Sequence, residues 1–247
     1  MTAIANASNT SGVEDSAIAL TGVLEVFAKG STWALATVDQ GANAGVATVG
    51  LIVTYAEAGG ETKAYIDAAD ANDEIRVAAG MYAEVVLVEK TVHLLGMPGA
   101  VIQPDGTTAL LDQGTRRAAI YINGADGVSV EGFEIDGTKT SLHYGVGGMN
   151  ADGVSVVKCY IHDIVDDPAH VSGVGINLYG WGQGVTGALI VSNVLDNCDR
   201  MGIAVTANEA HSPYKWEICS AVIRANQVSD TWLGGTGNGG AIQVNGA

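Results

Sequence analysis

Asn150–Asp163 reads NADGVSVVKCYIHD, and Asn123–Asp136 upstream reads NGADGVSVEGFEID. Asp-Gly-Val-Ser-Val therefore occurs twice, 26 residues apart (Asp126 to Asp152), each time leading into a second alternating stretch. A repeat of that length marks a coiled or stacked architecture rather than an ordinary globular one. Asp126–Gly127 and Asp152–Gly153 match as turns, where glycine supplies the positive φ that a tight reversal needs. The repeated motif is read as scaffold, two consecutive turns of one coil, and not as two copies of a catalytic motif.

Working outward, the later chain can be laid over itself. One inward strand position runs Ile120, Val146, Ile176, Ile203, Ile242, and another runs Ile135, Ile161, Leu195, Val228. The steps vary from 26 to 39 residues while the strand chemistry stays constant. A β-solenoid does this: each turn stacks on the previous one at the ordinary strand spacing of ~4.8 Å, and insertions bulge out at corners. Asn193 and Asn226 fall at equivalent places in neighbouring coils, where stacked asparagines hydrogen-bond along the rod.

Composition agrees. The 247 residues hold 34 glycines but 4 prolines, which points to many tight turns between ordered strands rather than a proline-rich linker. Hydrophobic residues reach 47% with aromatics at 6%, suiting a thin core of branched side chains. The net charge of −16 and eleven scattered basic residues argue against a nucleic-acid partner. An anionic polysaccharide would be repelled unless divalent cations bridged the contact. Cys159, Cys198 and Cys219 match no zinc or redox spacing and are read as buried hydrophobes. The start, MTAIANASNTSGVEDS, has neither a basic nor an apolar signal region, and no stretch is long and apolar enough to be a membrane helix.

The chain divides into two parts. Residues 1–60 are read as a mobile arm followed by a small β-rich module, punctuated by Gly30, Gly41, Gly45 and Gly59–Gly60. A helix over Glu14–Lys29 competes there, but Gly22 and the β-branched residues disfavour it. Residues 61–247 carry the coil. The stretch TSGVEDSAIALTGVLEV, near residues 10–27, resembles the opening of cadherin-like repeats of bacterial surface proteins, though the later Asp-rich calcium ligands of such repeats are not found.

AYIDAADANDEIRVAAGMYAEVVLVEKTVHLLGMPGAVIQPDG, from Ala64 to Gly106, puts short strands at Glu74–Ala78, Val85–Glu89, Val92–Leu95 and Ala100–Gln103 between turns. It resembles the first coils of the pectin-lyase-like right-handed parallel β-helix superfamily. The carriers are a GxYxE turn (Gly80, Tyr82, Glu84) and an L-x-G element (Leu94, Leu95, Gly96). The resemblance implies a short helix around Ala64–Ala71 and an all-β, right-handed parallel β-helix over residues 61–247.

Chemistry is sparse. YIHDIVDDPAHVSG, Tyr160–Gly173, gathers His162, Asp163, Asp166, Asp167 and His170, and the adjacent coil brings Asp196, Asp199 and Arg200. Paired aspartates serve as acid and base in β-helix hydrolases, and acidic clusters in β-helix lyases bind calcium beside a proton-abstracting Arg or Lys. If the chain were an enzyme, Asp163, Asp166, Asp167, His170, Asp199 and Arg200 would be the catalytic candidates. The sets that identify such enzymes are missing, and an Asp-rich loop around Pro168 is ordinarily a solvated corner. No resident cofactor is expected, calcium being the one ion an acidic cluster would take. Tyr179, Trp181 and Trp232 lie in the glycine-rich stretches LYGWGQG and TWLGGTGNGG, where aromatics stack on sugar rings or cover a partner.

GGAIQVNGA reads as the first strand of another coil, with no cap after Ile242. Either the chain is a fragment or something else covers that end, and on the second reading Ile242 and Val244 form an assembly end covered by a partner. The expected function is a non-catalytic structural subunit of an extracellular assembly, a surface filament or a virion decoration or fibre protein. Its partners would be copies of itself or another structural subunit, with neither nucleic acid nor membrane insertion. The expected location is extracellular, on a cell surface or a virion. The alternative is a carbohydrate-active enzyme (polysaccharide lyase, epimerase or hydrolase) or a glycan-binding module.

Overall fold

The computed structural model describes residues 2–6, 25–29, 34–36, 64–66, 73–106, 117–165, 173–209, 212–216, 218–231 and 240–245. Among them every element is a strand. Ahead of the coil, β1 (Thr2–Asn6) pairs in parallel with β2 (Glu25–Lys29), and β3 (Ala34–Ala36) with β4 (Ala64–Ile66). Glu25–Lys29 is thus strand rather than helix. So is Ala64–Ile66, which corrects the helix expected from Ala64: Tyr65 and Ile66 are aromatic and β-branched, the types that favour extended backbone.

The coil follows as triplets of strands. It opens with β5 (Asp73–Val77) and β6 (Gly80–Tyr82), then runs β7 (Val86–Val88), β8 (Val92–Gly96), β9 (Ala100–Ile102). Next come β10 (Ala118–Asn123), β11 (Ser129–Glu131), β12 (Glu134–Asp136), and β13 (Tyr144–Met149), β14 (Ser155–Val157), β15 (Tyr160–Ile164). The third such pair of rungs is β16 (Val174–Trp181), β17 (Val185–Val191), β18 (Val194–Cys198), and β19 (Met201–Glu209), β20 (Ser212–Trp216), β21 (Cys219–Arg224), β22 (Gln227–Thr231); β23 (Gly240–Asn245) closes the series.

Three sheets result, each built from one strand per rung. The first orders β20-β19-β16-β13-β10-β7 with β23 also on β19, the second β21-β17-β14-β11-β8-β5, and the third β22-β18-β15-β12-β9-β6. Pairing is parallel throughout, except that β20 folds back antiparallel on β19. The chain is an all-β parallel solenoid.

Both inward columns read from the sequence lie in register. Ile120 pairs with Val146, Val146 with Ile176, Ile176 with Ile203 and Ile203 with Ile242. Ile135 pairs with Ile161, Ile161 with Leu195 and Leu195 with Val228. From Ile120 to Ile203 the first column is wholly buried, and the third sheet's column is wholly buried from Ile135 to Leu195. The coil is narrow, and glycines make room between the two columns. A Cβ on Gly145 would stand 2.6 Å from the Ile161 side chain, and one on Gly175 would stand 2.5 Å from Leu195, both below van der Waals contact.

The corners are ladders too. At the turn into the second sheet, Asp126 Oδ1 accepts the Asp152 amide at 2.8 Å, and Asp152 Oδ1 accepts the Thr186 amide at 2.6 Å. Gly127, Gly153 and Gly187 stack there with φ of 68°, 66° and 68°. At the turn into the third sheet, Asn193 Oδ1 accepts the Cys159 amide at 2.9 Å and Asn193 Nδ2 donates to the Val156 carbonyl at 2.9 Å. Asn226 repeats the pattern one rung on, its Nδ2 donating to the Ile190 carbonyl at 2.9 Å.

Candidate functional site

The residue that follows each inward position of the third sheet points outward. Asp136 follows Ile135, His162 follows Ile161, Asp196 follows Leu195 and Ser229 follows Val228, and these four are strand partners in sequence. They form a polar stripe along one flank, and His162 is its centre. The ring sets Nδ1 2.7 Å from Asp163 Oδ2 and Nε2 3.3 Å from Glu134 Oε1. Tyr160 stacks over it, ring centroids 4.4 Å apart at 23°.

The rest of the stripe is bonded rung to rung. Gln103 Nε2 donates to Asp136, whose other oxygen accepts the Thr138 amide at 2.8 Å. Asn197 Nδ2 donates to Asp163 Oδ1 at 2.5 Å, and Ser229 Oγ donates to Asp196 at 2.7 Å. Asp163 and Asn197 hold φ of 56° and 50°, a backbone state that Asp and Asn tolerate better than most residues, and this turns their side chains toward each other.

Electrostatics follow from this packing. Burial pulls the His162 pKa down, but the hydrogen bonds to Asp163 and Glu134 and the charge of Asp136 more than offset it, so it lies above 6.5. For Asp136 burial pushes upward, yet the hydrogen bonds from Thr138 and Gln103 and the nearby His162 hold it below 3.8. Ligand-type atoms of Asp136, His162 and Asp163 lie within 4.8 Å of one another. Both His162 nitrogens face carboxylates, so the group is a hydrogen-bonded clasp.

Of the residues singled out by sequence, Asp166, Asp167, His170 and Trp232 lie outside the described residues. Asp163 is in the clasp. Asp199 and Arg200 follow β18 at the corner into β19. There the Asp199 amide donates to the Ile164 carbonyl at 3.1 Å and the Arg200 amide to Gly173 at 3.0 Å. Between them and the stripe sits Cys198, its thiol pushed up to about 12 by burial, with Asp196 adding to the rise.

Tyr179 and Trp181 stand on β16 with ring centroids 6.1 Å apart, tilted at 36°. Trp181 is 41% exposed, and its backbone N–H donates to Asn150 Oδ1 at 2.7 Å. Asn150 also lines an open cleft of about 440 Å³ with Asp126, Asp152, Gln183 and Thr186. Ile242 and Val244, on β23, are 48% and 47% exposed.

Glu134, Asp136, His162 and Gln103 were not candidates from sequence as a set. Their signal was the position just after each inward branched residue, visible once the Ile135 column is aligned, with Asp, His, Asp and Ser occupying it in turn. Comparison of the chain with protein-family models, with curated proteins and with solved structures finds no significant match.

Proposed function

We propose that the chain is a non-catalytic structural subunit, a β-solenoid rod placed in an extracellular assembly such as a surface filament or a virion decoration or fibre. The observation that carries this reading is where the polar side chains are spent. Asp126 and Asp152 at one corner, Asn193 and Asn226 at another, and Gln103, Asp136, Asp163, Asn197, Asp196 and Ser229 on the flank each bond a neighbouring rung. Groups so engaged stiffen a stack, because each rung satisfies polar atoms of the next that would otherwise be desolvated without partners. A proton-transferring carboxylate needs instead to reach a substrate.

The finer placement, among right-handed pectin-lyase-like β-helices, belongs to the same proposal. Three parallel sheets per coil and the asparagine ladder support it.

A second reading, glycan binding, is favoured by one feature: exposed Trp181 beside a polar cleft, a pairing of apolar ring face and hydrogen-bond groups that suits a sugar. One experiment separates these. The purified chain is sedimented over a hundredfold concentration range and incubated with neutral and acidic polysaccharides, with and without calcium. The structural reading expects concentration-dependent association and no turnover. A monomer at every concentration, with turnover that Asp167→Asn abolishes, would establish the enzyme instead. Binding without turnover, lost in Trp181→Ala, would establish the glycan module.

A further inference from the structure

We infer that His162 works as a proton-operated clasp that draws two neighbouring rungs of the coil together when it is charged and lets the flank slacken when it is neutral. The geometry requires a proton. A neutral imidazole carries one N–H, so it can donate through one nitrogen and must present a lone pair at the other. Here both nitrogens face carboxylate oxygens, Nδ1 toward Asp163 at 2.7 Å and Nε2 toward Glu134 at 3.3 Å. The neutral ring therefore sets a lone pair against an anionic oxygen in one of the two contacts. Only the imidazolium, with two donors, satisfies both.

The surroundings reinforce that preference. From β12 come Glu134 and Asp136; from β15 itself come Asp163 and the stacked Tyr160; from β18 comes Asp196, the strand partner of His162. Neutral Gln103 bonds Asp136 and neutral Asn197 bonds Asp163, so among the described residues the ring is the cation hydrogen-bonded to the clasp carboxylates. The ring is 13% exposed, which limits screening by water. His93 offers an internal contrast. It too lies between two carboxylates, Glu74 and Glu131, but at 3.5 and 3.6 Å, beyond good hydrogen bonds, and with its side chain 34% exposed.

The sign follows from linkage. The His162 pKa is raised above 6.5 in the folded state, so its contribution is complete below pH 6.5 and is lost as pH rises through the folded value. Asp136 is lowered below 3.8, so its contribution is present above pH 3.8 and is lost as pH falls through its folded value. The clasp is therefore tightest in mildly acidic solution and slackens on passing to alkaline pH.

Thermal unfolding of the full chain between pH 5.5 and 8.5, in the presence of a chelator, tests this. Wild type is expected to lose on the order of 3 °C of midpoint more than His162→Gln does over that range, while His93→Gln follows wild type. As a second probe, imidazole resonances are titrated in wild type and Asp163→Asn. Asparagine suits the left-handed backbone at that position but removes the charge, so one histidine midpoint should fall. A His162→Gln variant with the wild-type pH slope would overturn the inference. So would an Asp163→Asn variant in which every histidine midpoint is unmoved. So would stabilisation of wild type, but not His162→Gln, by zinc or calcium chloride at pH 8, since a metal ion would then occupy the clasp in place of the proton.

Discussion

Asn193 and Asn226 are joined twice across one rung: Asn226 Oδ1 accepts both the Asn193 backbone amide, at 2.9 Å, and the Asn193 side-chain amide, at 3.0 Å. Asn193 has no exposed surface, yet its side chain is fully used, since it also takes the Cys159 amide and gives to the Val156 carbonyl. A buried polar side chain at a corner is tolerable when every atom is satisfied in this way. The corner needs it, because its own backbone groups turn away from the strand ladders.

Replacing Asn193 by alanine removes three side-chain bonds and takes from the Cys159 amide and the Val156 carbonyl the partner that Asn193 gives them, while Asn226 Oδ1 keeps the backbone amide of residue 193. The expected loss is about 2–4 kcal/mol of unfolding free energy, read as a lower midpoint in urea with an unchanged slope. Asn226→Ala, in a half-buried position, should lose less. Equal or negligible losses for the two variants would contradict the ladder.

The narrow waist of the coil gives a second prediction. Gly202→Ala drives a methyl into Val228 and the Ala241 carbonyl, whereas Gly240→Ala meets nothing within 4 Å. Both glycines lie in strands of the first sheet, so propensity alone does not separate them. Overpacking should cost Gly202→Ala about 1–3 kcal/mol, and Gly240→Ala should be close to neutral. Denaturant unfolding of the pair checks this, and similar stabilities would mean that the two columns do not meet as described.

The cysteines give a third. Burial pushes the Cys159 thiol up to about 11 and Cys198 to about 12, while Cys219 is raised less and is half-buried. Thiolate is the reactive form, so at pH 8 an alkylating reagent should modify Cys219 first and reach the other two only after denaturation. Peptide mapping of a timed reaction reports the order. Early labelling of Cys198 would show that the wall beside Asp196 is open.

Much of the coil was legible because a strand repeats every second residue and a rung repeats its strands. The Ile120 and Ile135 columns need only that alternation and a tolerance for corner insertions. The Asp126–Gly127 and Asn193–Asn226 corners were legible for the same reason. The glycine column was not: Gly145 is needed small because Ile161, on a different sheet of the same rung, projects toward it, and no local pattern carries that contact. The clasp was hidden likewise. His162 and Asp163 were noticed as neighbours in a polar loop, but Glu134 and Asp136 reach them from the preceding rung, and Asp163 turns back only because its φ is positive. The helix expected at Ala64 failed because a resemblance in order outweighed the strand preference of Tyr65 and Ile66.

The central claim is that successive rungs stack in the stated register, and a designed disulfide tests it most directly. Ser129 and Ser155 are strand partners in the second sheet, while His93, the partner of Ser129 on its other side, is two rungs from Ser155. Neighbouring parallel strands lie ~4.8 Å apart, within disulfide reach, and strands two rungs apart do not. In a Cys219→Ser background, mild oxidation of Ser129→Cys/Ser155→Cys should give an intramolecular bridge by peptide mass mapping, and His93→Cys/Ser155→Cys should give none. The reverse result, or no bridge in either, would contradict the stacked coil.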